Sequence, residues 1–132
     1  MFKYILILSI SFVSHALSGE SVIESDTGDV TITEIGHASF NIDWNNISIY
    51  VDPVGDAYAS MPSPNLILVT DVHGDHFQPD VLLELLSPST LIIAPNALFG
   101  ELFNTSRSIT YNLQTIANGE GFNAFGISIE AI

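Results

Sequence analysis

Apolar and polar positions change their period several times along this chain, and each change predicts an element. Val30 to Ile35 (VTITEI) alternates and is rich in β-branched residues, which predicts a strand ending at Gly36. Ser39 to Asp43 and Ile47 to Asp52 flank Trp44-Asn45-Asn46, a hairpin signal because asparagine tolerates the left-handed turn conformation. Residues 54–65 follow neither period, and their Gly, Ser and Pro content predicts a loop. Leu66 to Val69 is a continuous apolar run of strand length, so both of its faces are expected to be covered. A polar, histidine-rich turn from Asp71 to Gln78 follows. Pro79 then stands where a helix would begin, and Val81, Leu82, Leu85 and Leu86 share one face of that helix. Leu91 to Ala94 is a second buried strand, Asn96 to Phe103 a short helix, and Ser108 to Ile116 and Phe125 to Ile132 are further strands. Residues 19–29 (GESVIESDTGD) are polar and acidic, and are expected to be a flexible lead-in. A strand meander followed by strand, loop, helix and strand is an α/β layering.

The first 18 residues read differently from the rest. Lys3 is followed by an apolar run from Tyr4 to Val13 and by small residues at Ala16 and Ser18, the layout of a secretory signal peptide. Cleavage is expected after Ser18, or after Ala16. The run falls short of the roughly 20 residues a spanning helix needs. A secreted or periplasmic protein with no stable membrane span is therefore expected, with a buried strand or a short anchor as the alternative.

Composition narrows the function classes. Of 132 residues 47% are apolar, which suits one folded domain and no disordered tail. There is no cysteine, which removes disulfides and thiolate-ligated zinc. Two Lys+Arg against 15 Asp+Glu give a formal charge of −13, so nucleic acid and anionic membranes are not expected partners.

Candidate chemistry is concentrated in Asp71-Val72-His73-Gly74-Asp75-His76. At the end of a strand, Asp71 and His73 are two apart and project to one side. Gly74 is expected to let the chain turn sharply and bring Asp75 and His76 toward the same point. Two carboxylates and two imidazoles at the mouth of a buried strand are costly unless paired, and a divalent cation is the usual compensation. The competing reading is a polar loop whose histidines cap the next helix or bond to backbone.

This run, placed after an apolar strand and before a helix, resembles the H-x-H-x-D-H signature of the metallo-β-lactamase fold hydrolases, with Asp71 at the first histidine position. Gly36-His37-Ala38-Ser39-Phe40, Ile49-Tyr50-Val51-Asp52-Pro53 and Leu66 to Thr70 are similar to the branch containing the ascorbate-6-phosphate lactonase. The resemblance runs from about Val30 to Ile132. It implies the N-terminal half of an αββα sandwich and a metal-dependent hydrolase in which a metal-activated water attacks a lactone, ester, amide or phosphodiester bond of a small molecule. Carried over by position, Asp71 and His73 would bind a first metal, and Asp75 and His76 a second. Asp75 would also orient the nucleophile, Asp52 would brace the loop, and His37 would lie near the site or be bonded into its own turn. One or two divalent ions are implied. A carboxylate at position 71 makes the site harder than a three-histidine one, and zinc or manganese is expected.

The family also takes ligands from its second half, and no His or Asp follows Asp80 here. The chain is therefore expected to be an incomplete hydrolase whose uncovered apolar surface favours self-association. The alternatives are a non-catalytic acidic metal-binding domain and, with no account of the Asp71 to His76 cluster, an acidic interaction module.

Overall fold

The computed structural model describes residues 19–105 and 112–132. The expected signal peptide and the Ser108 to Tyr111 part of an expected strand lie outside the described residues.

Seven strands form one mixed sheet in the order β1-β2-β3-β4-β5-β6-β7, which is also the order of the chain. β1 (Glu20–Ile23), β2 (Val30–Gly36), β3 (Ser39–Trp44) and β4 (Ile47–Val51) run antiparallel. β5 (Leu66–Leu68), β6 (Leu91–Pro95) and β7 (Leu113–Ile116) continue the sheet in parallel with β4. The β3–β4 turn carries Asn45 and Asn46 at φ 49° and 64°, as the paired asparagines predict. Helix α1 (Pro79–Leu85) begins with proline at its first turn, and α2 (Phe99–Thr105) follows a short 3-10 turn at Asn96–Leu98.

Side chains along the central strands alternate between two cores. Tyr50, Ile67, Val69, Ile92 and Ala94 face the helices and pack with Leu82 and Leu85 of α1, Leu98 and Leu102. Ile49, Val51, Leu66 and Ile93 face the opposite way, where Phe122, Ile127 and Ile129 cover them. Those three belong to a second, two-stranded sheet, β8 (Gly121–Ala124) and β9 (Ile127–Glu130). Helix, sheet and second sheet are thus layered as a metallo-β-lactamase-like α/β fold requires, and both faces of β4, β5 and β6 are buried.

Two expectations are corrected. Within the segment expected to be flexible, Glu20–Ile23 pairs with Val30 to Thr33 as an edge strand. All four of its side chains are exposed, so backbone pairing holds it and no alternation advertises it. The single strand expected over Phe125 to Ile132 is the second arm of a hairpin whose turn is Phe125-Gly126, at φ 54° and 81°. Glycine suits that turn; a phenylalanine in the left-handed region gives no warning of it.

Candidate functional site

The site lies at the ends of β2, β4 and β5. Parallel pairing sets Val51 against Leu68, so the residues just beyond each strand become neighbours. Asp52 turns away at φ 45°, donating its backbone N–H to the Leu68 carbonyl at 2.9 Å. Its side chain, 3% exposed, accepts from the Thr70 backbone N–H at 2.7 Å and the Thr70 hydroxyl at 2.5 Å. The same carboxylate meets His76 Nδ1 at 2.8 Å. The Asp52 carbonyl accepts from Ser39 Oγ at 2.6 Å. Thr70 and Ser39 carry no family signal, and their part in holding Asp52 emerges only from the fold.

The loop after Thr70 closes through His73, whose carbonyl accepts from the backbone N–H groups of His76 and Phe77, both at 2.9 Å. Buried Phe77 anchors its far end in the helix-side core. Gly74 lies outside the left-handed region, and a Cβ added there would meet nothing within 4 Å. The turn therefore does not depend on glycine, contrary to the expectation for Gly74.

The expected ligands divide into two groups. Asp71 Oδ1 accepts from the backbone N–H groups of Val72 and His73, at 2.5 and 3.2 Å, and meets His73 Nδ1 at 2.6 Å. Partial desolvation would raise the Asp71 pKa, but these hydrogen bonds outweigh it and hold the carboxyl below its usual range. The oxygen expected to ligate is thereby committed to its own loop. Asp71 and Asp52 each occupy one histidine Nδ1, leaving Nε2 of His73 and His76 as the outward nitrogen, the orientation in which a metal-ligating histidine is normally braced.

His76 Nε2 faces Asp75 Oδ2 at 3.8 Å, and His37 Nε2 approaches the same oxygen at 3.6 Å. The His37 and His76 rings meet edge to face with centroids 6.0 Å apart. His37, expected either near the site or bonded into its turn, thus stands beside Asp75 and His76, in a left-handed conformation at φ 51°. Strained residues at positions 37 and 52, one on each side of the loop, are what a functional site commonly shows. The Asp52 hydrogen bond raises the His76 pKa above its usual value, against partial desolvation and with help from the charges of Asp52, Asp75 and Asp71.

Three imidazole nitrogens and a carboxylate suit a divalent transition metal by donor chemistry. Among the described residues, however, no group of three or more such side chains is disposed to hold an ion. The spacings of 3.6 and 3.8 Å about Asp75 exceed the roughly 3.3 Å that separates donors on one tetrahedral zinc. Donors are gathered here, but they do not enclose a site.

Residues 31–132 match the family described as the beta-lactamase superfamily domain. A protein from Parabacteroides distasonis, assigned as a metal-dependent hydrolase, is 28% identical with a TM-score of 0.68, over 84% of this chain and 49% of its own. Igni18, a metallo hydrolase of the archaeon Ignicoccus hospitalis, is 17% identical with a TM-score of 0.52, over 71% of this chain and 42% of its own. The chain thus spans about half the length of either structure. No curated protein matches it.

Proposed function

This chain belongs to the beta-lactamase superfamily, and from that premise we propose that it is the ligand-bearing part of an exported, metal-dependent hydrolase acting on a small molecule. The observation that carries this reading is the braced His76: Asp52 takes Nδ1 at 2.8 Å, and Nε2 is turned toward Asp75, which His37 also faces. His73, Asp75 and His76 would hold the ion, with His37 beside them. Asp52 and Asp71 would fix the imidazole tautomers. A divalent ion there would lower the pKa of a bound water and polarise the scissile group. Hydrolysis of a lactone, ester, amide or phosphodiester then adds hydroxyl to the carbonyl or phosphoryl centre and a proton to the leaving atom, with no redox partner. The ion is proposed to be zinc or manganese.

The absence of an enclosed ion site among the described residues favours one rival, a metal-binding domain without turnover. A single set of assays separates the two. The protein should take up zinc or manganese, and lose it on His76→Ala. Turnover of simple lactones and esters that is abolished by a chelator and restored by metal establishes the hydrolase. Uptake without turnover establishes the rival, and unchanged metal content in His76→Ala removes both.

A further inference from the structure

A cavity of about 260 Å³ opens at the carboxyl ends of β5, β6 and β7, lined by Leu68, Ile93, Pro95, Ile116 and Ile129 and bordered by Thr70. In open α/β sheets, ligands collect at the carboxyl ends of the strands. Thr70 belongs both to the cavity wall and to the site, because its hydroxyl bonds to Asp52 and lies 3.2 Å from His76 Nδ1. A group seated in the cavity would therefore be tethered beside the His37, Asp75 and His76 cluster.

The lining decides what that group can be. Its walls are aliphatic, and an apolar cavity of roughly 150 Å³ already admits benzene, so this one has room for a chain or ring of about five to eight carbons. Its nearest ionisable group is the Glu130 carboxylate. Lys3 and Arg107 are the chain's only Lys and Arg, and neither is among the described residues. An anionic substituent would lose its hydration there with no cation to replace it. We infer that the cavity takes the apolar substituent of a neutral ester or lactone, and that phosphorylated or carboxylated substituents are rejected. The inference rests on the hydrolase reading for the bond attacked, and on the cavity alone for the substituent.

Binding to the metal-free full chain tests it without any turnover. By calorimetric titration, γ-nonalactone should bind at least tenfold more tightly than γ-butyrolactone, which lacks its five-carbon tail. Nonanoate, equally long but charged, should bind at least fivefold more weakly than γ-nonalactone. Methyl resonances of Ile93, Ile116 and Ile129 should shift on adding γ-nonalactone. Ala131 lines the cavity and its backbone pairs with Glu120 and Gly119, so Ala131→Trp should fill the cavity, leave those pairs intact and abolish the preference for the longer lactone. Equal affinity for the two lactones overturns the inference, as does equal affinity for nonanoate. If Ala131→Trp does not fold, unshifted isoleucine methyls in the unaltered protein overturn it. Chelator-sensitive hydrolysis with no dependence on tail length would defeat the cavity assignment and leave the hydrolase reading intact. Tail-dependent binding with no hydrolysis would do the reverse.

Discussion

Asp52 has a partner for its N–H, its carbonyl and both carboxylate oxygens, and it holds a left-handed backbone conformation to reach them. A buried carboxylate is tolerated only when so satisfied, and the return is a fixed His76 ring. Asp52→Asn would keep one acceptor for the Thr70 backbone but set an amide NH2 against either the Thr70 hydroxyl or His76. It should cost about 1–3 kcal/mol of stability, the usual penalty for a broken buried hydrogen bond, and bring the His76 pKa back toward 6.5. The sign of the pH dependence follows from the raised pKa of His76 in the fold. Its pairing with Asp52 stabilises fully below the unfolded value of 6.5 and fades as pH rises through the higher folded value. The stability difference between the unaltered protein and Asp52→Asn, followed by urea unfolding, should therefore shrink from pH 6 to pH 9. NMR titration of the two proteins reads the His76 shift directly, and an unmoved His76 pKa would contradict the brace.

At the scale of elements, α1 shows what patterning reports and what it omits. Its apolar face is real: Leu82 and Leu85 are buried, while Leu83 on the other side is exposed. The helix has no side-chain N-cap bond at Gln78, so its start relies on proline and on the packing of that face. Leu82→Ala should cost about 2–5 kcal/mol through lost burial and the cavity left behind, whereas Leu83→Ala should stay within about 0.5 kcal/mol. Chemical denaturation of the pair checks the orientation of α1, and similar losses at both positions would contradict it. The strands teach a complementary lesson. β4, β5 and β6 read as apolar runs because both faces are covered, but β1 buries no side chain and left no periodic trace.

For the whole molecule, charge is the dominant feature. All four ion pairs among the described residues use a histidine as the cation, so most of the 15 Asp and Glu side chains face solvent without an Arg or Lys partner. Self-repulsion on this scale opposes compaction and keeps copies apart, and salt screens both effects within a Debye length of about 10 Å at 0.1 M. Raising sodium chloride from 10 mM to 0.5 M should lift Tm by roughly 4–8 °C, the shift that about 1 kcal/mol produces in a domain this small. The same salt series followed by light scattering should show association increasing, because Val22, Ile23, Phe99 and Phe125 are exposed. A salt-independent Tm would mean that the acidic surface is already neutralised.

What the sequence by itself determined was local: the alternation of β2 and β3, the Asn45-Asn46 turn, the apolar runs of β5 and β6, the face of α1, and the dense Asp71 to His76 loop. Each rests on interactions between residues a few positions apart, which leave a period or a turn signature. Which of the clustered donors meet was decided only by tertiary structure. Parallel pairing of β4 with β5 carries Asp52 to Thr70 and His76, 18 and 24 positions away, and the β2–β3 turn swings His37 over Asp75. Asp71, a ligand by spacing, is instead consumed by its own backbone and by His73. Spacing along a chain limits which atoms can approach one another, but the competition among donors for each carboxylate oxygen is settled only once the strands have placed them together.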